Sequence, residues 1–328
     1  MGTGPGAGPG PGGGSGSGPG PGGWAGGVGP GGITASCTRA RGSKINTANM
    51  ATFVRKDRAK PFVGRRTFSV RSPVVKARQM SQLNGAKVIV IGGSSGVGRA
   101  TVLAALERGA EVVVVSRTPA HLESVRREAS RPIETRALDA TDGVAIERLF
   151  AEVRPRHVVL SAGTRSPLAF LDEQTWEGFS APWNQDVKMA FEVGRAALQQ
   201  KLGAGSNVVI VSSGAGLVGS PLSGGYAGAK RTQMFMASYF QRASNERKAG
   251  IRFLAVVPQQ LLPDTATGHE VSLTYAKLAG ITQEKFMERF ETPLHTTGVA
   301  AAIVRALEGE FPETATTIGV TGRGAEVL

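Results

Sequence analysis

From Lys87 onward the chain alternates short Val/Ile-rich runs with amphipathic stretches, and this alternation limits the available folds more than any other feature. The runs are Val88–Ile91, Glu111–Ser116, Ile133–Leu138, His157–Leu160, Asn207–Ser212, Ile251–Val257 and Thr316–Val320. Helical patterns lie between them, near 97–109, 119–130, 142–153, 184–202, 223–248 and 294–308. Strands that are apolar throughout need cover on both faces, and strands separated by helices pair in parallel. Right-handed crossovers then predict one doubly wound α/β domain over residues 80–328, a parallel sheet of about seven strands with helices on both faces.

The chain's 38 Lys+Arg against 25 Asp+Glu give a formal charge of +13, but that excess is local. Residues 1–32 have no charged side chain and are almost entirely Gly, Pro, Ser and Ala. Residues 33–87 carry 13 Lys/Arg and a single acid, Asp57, so the rest of the chain is nearly neutral. A segment this poor in apolar side chains cannot offset its ordering entropy, and residues 1–79 are expected to be a disordered tail. Three readings stay open for it: an organelle transit peptide, a basic arm, or a stretch without function upstream of a start at Met80. Binding of nucleic acid by this segment is ranked below the other readings. The chain's one cysteine excludes an internal disulfide. No Cys/His cluster has metal-ligand spacing and no apolar run is long enough for a membrane span. A cytoplasmic protein is expected, or an imported one if the tail is a transit peptide.

The first strand runs into Gly92-Gly93-Ser94-Ser95-Gly96-Val97-Gly98 and then a helix. Such a turn lets backbone N–H groups and a helix N-terminus approach a pyrophosphate, the arrangement of Rossmann-type sheets. The second strand ends in Ser116-Arg117 and lacks the acid that bonds a ribose 2′-hydroxyl. A hydroxyl and a guanidinium suit a 2′-phosphate, so NADP(H) is the expected cofactor. The alternative for Arg117 is a solvated helix-start residue. Asp139-Ala140 follows the third strand; Asp139 can accept from an adenine amino group or N-cap the next helix.

Tyr226 and Lys230 are four residues apart at the start of a long helix, so their side chains share one face. Ser213 stands at the carboxyl end of the fifth strand, where open parallel sheets bind ligands. A phenol of pKa ~10 is a poor acid–base group at neutral pH, and an adjacent ammonium favours its phenolate. Ser213 could then hold a substrate oxygen by hydrogen bond.

The combination of GGSSGVG, Ser213 and Tyr226-x-x-x-Lys230 resembles the short-chain dehydrogenase/reductase family over nearly all of residues 82–328. The resemblance implies Tyr226 as catalytic acid/base and Ser213 as the substrate-orienting hydroxyl. It implies Lys230 as the group that binds the nicotinamide ribose and lowers the tyrosine pKa. It also brings Ser161-Ala162-Gly163 and Pro258 near the cofactor, and suggests a homodimer or homotetramer packed through helices near 184–202 and 223–248. Four positions depart from the family pattern. Ile91 replaces a Thr, Ser161 an Asn, and Gln259 a Gly, while Asp186 stands where an Asn usually serves a proton relay, with Asn184 nearby. An Asp could hold a relay water, but its negative charge opposes phenolate formation.

The loops 164–171, 214–225 and 259–280 should contact the substrate. They offer Leu168, Leu217, Val218, Leu222, Leu261 and Leu262, which suit a mainly apolar carbonyl compound or secondary alcohol. Some of these leucines could instead be core. The leading expectation is an NADP(H)-dependent carbonyl reductase. Its rivals are an NAD-dependent alcohol dehydrogenase and a non-catalytic nucleotide sensor on the same fold.

Overall fold

The computed structural model describes Gly2 and residues 81–328 except Lys201; the readings of the tail lie outside the described residues. The described residues form one eight-stranded sheet in the order β3-β2-β1-β4-β5-β6-β7-β8. The strands are β1 (Lys87–Ile91), β2 (Glu111–Ser116), β3 (Glu134–Ala137), β4 (His157–Leu160), β5 (Asn207–Val211), β6 (Arg252–Pro258), β7 (Thr317–Thr321) and β8 (Gly324–Val327). All pairs are parallel except β7–β8, which is antiparallel. The chain order reverses between β1 and β4, which puts a switch point at their carboxyl ends, where a ligand crevice opens in such sheets.

The sheet is apolar through its thickness because its central strands alternate between two cores. Val88 and Val90 face one core, with α1 (Gly96–Glu107), α2 (Pro119–Glu128) and α10 (Thr296–Leu307). Ile89 and Ile91 face the other, with α3 (Gly143–Val153), α5 (Lys188–Gln199) and α7 (Gly224–Glu246). This two-sided burial is what the continuous apolar strands require.

The eighth strand is a departure from the expected seven. Gly324–Val327 is short and mostly exposed, so it lacks the apolar run that marks the central strands. Two helices stand where loops were expected, α6 (Ala215–Val218) and α8 (Ala266–Ala279), and two more, α4 (Trp176–Pro182) and α9 (Gln283–Met287), in stretches given no element from the sequence. All four follow the carboxyl ends of β4, β5 or β6. Among the described residues, no helix is long and apolar enough to cross a membrane.

Candidate active site

The nucleotide turn is built from backbone. Gly92 has φ +81° and Gly96 φ +50°, the left-handed region that side chains resist. A Cβ on Gly92 would stand 2.4 Å from the Ala162 nitrogen, and one on Gly98 2.1 Å from the Gly92 carbonyl oxygen. Each glycine thus permits an approach that any other residue would block. Helix α1 begins with no acid in its first turn, and its N-cap Ser95 spends no side-chain bond on the helix. A free positive helix end above a glycine cradle fits a dinucleotide pyrophosphate. Val97 is buried in the core and so can offer only its backbone.

The ends of β2 and β3 carry more side-chain chemistry. Ser94 Oγ donates to Ser116 Oγ at 3.0 Å, tying the turn to the end of β2, and Arg117 beside it is exposed. Asp139 is exposed and Ala140 is buried. Asp139 Oδ1 accepts from the Thr141 nitrogen and hydroxyl, both at 2.9 Å. The Thr141 N–H chiefly holds the Asp139 carboxyl below its ordinary pKa; burial opposes this, and the Thr141 hydroxyl, Arg117 and Lys188 add to it. The reading of Asp139 as the cap of α3 is corrected: Asp142 is the N-cap and accepts from Val144 N and Ala145 N. The turn in which Asp142 N donates to the Asp139 carbonyl puts Asp142, not Asp139, at the helix start.

At the end of β4, Ser161 N and Ala162 N both donate to the Ile91 carbonyl, at 2.8 and 3.0 Å. Gly163 follows directly over the charges of Asp186 and Lys230. Its Cβ would lie 3.3 Å from Asp186 Oδ2 and 3.5 Å from Lys230 Nζ. Ser213 is half-buried after β5, with Oγ accepting from Ala215 N at 3.3 Å. Its loop is clamped from both sides. Gly214 N donates to the Pro258 carbonyl at 2.7 Å, and a Cβ on Gly216 would meet Arg231 N on α7 at 2.8 Å.

Helix α7 presents Tyr226 and Lys230 on one face and glycines on another. Gly225 and Gly228 admit the Phe179 carbonyl and the Trp183 ring, which a Cβ would strike at 1.7 and 2.5 Å. Trp183 also stacks on Phe179 at 5.5 Å, so this tryptophan packs the helix. The close approach brings α4 and the π-helical turn Trp183–Val187 down onto α7. Pro182 interrupts α4 just before that turn, since it has no N–H for the helical ladder.

The turn decides which residue reaches the site. Asp186 is fully buried, whereas Asn184 is exposed. Asp186 Oδ2 lies 3.0 Å from Lys230 Nζ, and Oδ1 accepts from Thr164 N at 2.7 Å. Lys230, only 4 % exposed, also donates to Gln233 Oε1 at 3.1 Å, while Gln233 Nε2 donates to the Asp186 carbonyl at 3.0 Å. Burial pushes the Lys230 ammonium down, but the charges of Asp186 and Tyr226 outweigh it. The net shift is upward. Lys230 Nζ sits 5.5 Å from the centroid of the Tyr226 ring.

Gln233 and Thr164 are site residues that sequence reasoning missed. Gln233 had a signal: a second long polar residue three positions after Lys230 shares its helix face. Of the proposed substrate leucines, Leu168, Leu222 and Leu261 pack with Tyr275, Ala276 and Phe286 in a small cluster under α8 and α9. Leu262 packs against the main core, and Leu217 and Val218 are exposed on α6. No group of three His, Cys, Asp or Glu that could hold a metal occurs among the described residues.

A family model for short chain dehydrogenases matches residues 86–273, which contain the glycine turn, Asp186, Ser213, Tyr226 and Lys230. The chain belongs to the short-chain dehydrogenase family. It is 33 % identical over 130 residues to L-xylulose reductase from Mesocricetus auratus, covering 40 % of this chain and 53 % of that protein. It is 30 % identical over 192 residues to carbonyl reductase [NADPH] 2 from Sus scrofa, covering 58 % and 76 %. It is also 26 % identical over 184 residues to L-fucose dehydrogenase from Rattus norvegicus, covering 55 % and 67 %. Against the L-xylulose reductases, the chain spans about half the length of the relatives it matches.

Proposed function

We propose that this chain is an NADP(H)-dependent reductase of mainly apolar carbonyl compounds, with residues 80–328 as its catalytic domain. The observation that carries the reading is one unbroken line of close approaches. Gly92 abuts Ala162, Gly163 lies over Lys230 and Asp186, and Lys230 lies beside Tyr226. A dinucleotide pyrophosphate at the glycine turn would therefore direct its nicotinamide toward the one phenol with a buried ammonium next to it.

When bound, the nicotinamide supplies the hydride. The residues of the chain do the rest. Tyr226 gives its phenol proton to the substrate oxygen, and Ser213 Oγ holds that oxygen in place. Lys230 anchors the nicotinamide ribose. Ser94, Ser95, Gly96 and Gly98 cradle phosphate, Asp139 takes the adenine amino group, and Ser161 and Pro258 flank the ring. Ser116 and Arg117 receive a 2′-phosphate, which supports NADP(H) over NAD(H).

Leu217 and Val218, exposed just beyond Ser213, support an apolar substrate. The pig relative named a carbonyl reductase points the same way, while the L-xylulose reductases extend the range to sugars. Exposed Phe191 on α5 and Phe235 and Tyr239 on α7 support a homodimer or homotetramer through those helices. We place the protein in the cytoplasm. The test is NADPH consumption by the full-length chain over a panel of ketones, aldehydes and ketoses. Turnover that depends on Tyr226 is expected; turnover unchanged in Tyr226→Phe would overturn the assignment.

A further inference from the structure

The pairing of Asp186 with Lys230 has no use in the mechanism above, and it costs a buried charge. Asp186 is 0 % exposed, and its Oδ2 has no aligned hydrogen-bond donor although Lys230 Nζ lies 3.0 Å away. The contact is thus chiefly electrostatic. The other carboxylate oxygen is fixed by Thr164 N, and the main chain by Gln233, so the carboxylate cannot turn away from the ammonium. The elements packed around the pair offer neutral groups: Val211 O and Ser212 from β5, Gly163 and Thr164 from the β4 loop, and Gln233 from α7. Among the described residues, Asp186 and Tyr226 are therefore the titratable neighbours of the Lys230 ammonium.

We propose that Asp186 is a positioning residue that sets the pH range of each direction of the reaction. Its buried carboxylate cancels the positive field of Lys230 that would otherwise draw the proton off Tyr226. This inference rests on the reductase reading and deepens it. In reduction, hydride from the reduced nicotinamide adds to the carbonyl carbon and the Tyr226 proton passes to the carbonyl oxygen. The nicotinamide is oxidised, the carbonyl becomes an alcohol, and the phenolate regains its proton from water. Oxidation reverses each transfer and must start from the phenolate. An ammonium alone beside the phenol favours the oxidative starting state; an ammonium–carboxylate pair of zero net charge withdraws that help. With Asp186 in place, reduction extends to higher pH and oxidation waits for alkaline conditions. The equilibrium between alcohol and carbonyl is unchanged, since Asp186 alters only the protonation state from which each direction starts.

The chain has three tyrosines, so subtracting a Tyr226→Phe spectrum isolates one phenol. The experiment is an ultraviolet tyrosinate titration of the full-length protein without cofactor, followed by pH profiles of reduction and oxidation. Asp186→Asn keeps the shape and the acceptor for Thr164 N but removes the charge. It should move tyrosinate formation, and both profiles, to lower pH by about one unit. Gln233→Glu adds a carboxylate where Oε1 now lies 3.1 Å from Lys230 Nζ, and should move them upward. It carries the test if Asp186→Asn does not fold. Unmoved titrations in the variants that fold would overturn the proposal and leave Asp186 a packing charge. Failure of the wild type to bind NADPH or NADH would instead sink the reductase reading, while the cofactor-free titration would still report on Asp186.

Discussion

The nucleotide turn and the Tyr226 centre share one edge of the sheet but are built in opposite ways. The turn is made of what is missing, since Gly92 and Gly98 admit backbone where a Cβ would lie 2.4 and 2.1 Å from main-chain atoms. The Tyr226 centre is made of what is buried, a full ion pair between Asp186 and Lys230 with Gln233 joining both partners. Backbone sites depend on spacing along a short segment. Charge sites depend on residues brought from 186, 230 and 233, and so on how two helices meet.

The comparison predicts unequal sensitivity to substitution. The largest effect falls on the chemistry: Tyr226→Phe should cut turnover by ~10²–10⁴-fold while nicotinamide binding persists. Steady-state kinetics alongside a fluorescence titration would separate the two; equal loss of both would erase the division between the regions.

A control lies at the opposite edge of the sheet, away from either region. His157 opens β4, buried, with Nδ1 accepting from Asn207 N at 3.2 Å. Burial, aided by Arg156, lowers its pKa from 6.5 to about 4. The unfolded chain therefore binds the proton more readily between those values. The stability from the neutral imidazole is complete above pH 6.5 and lost as pH falls toward 4, up to roughly 3 kcal/mol. Urea midpoints across that range should fall with acid, and His157→Gln should flatten the slope. A wild-type slope as flat as the variant's would contradict this burial.

Within the nucleotide region, Arg117→Ala should weaken NADPH by about 10–100-fold and leave NADH unchanged, the value of a charge-assisted contact of ~1.5–3 kcal/mol. A parallel loss for both nucleotides would mean that Arg117 does not read the 2′-phosphate. The smallest effect separates two neighbouring acids. Asp142→Ala should cost about 1 kcal/mol of stability as a lost cap, with nucleotide binding intact. Asp139→Ala should show the reverse, and thermal melts with binding curves would distinguish them.

The same contrast explains what the sequence made legible. The short runs located β1 through β7 within a residue or two, most plainly at β4 and β5, because strands buried on both faces leave an unbroken signature. The glycine turn was visible for a similar reason: its residues are contiguous. Helix α8 was taken for a loop even though Thr265 caps it and Gly280 ends it at φ +67°, because its buried side chains make only a small satellite cluster. Asp186 was found by its offset from Ser213, but not its partner. The π-helical turn after Pro182 turns it inward, and nothing in local spacing marks that extra residue. Gln233 lay in plain sight on the Lys230 face, and its bond to the Asp186 carbonyl needed the tertiary contact.

The most direct test of the account is nicotinamide fluorescence of the full-length chain titrated with NADPH and with NADH. Saturable binding of both, with NADPH tighter by roughly 10-fold or more, is the predicted result, from the glycine cradle together with a charge-assisted contact at Arg117. A preference for NADH, or no binding by the folded protein, would contradict it.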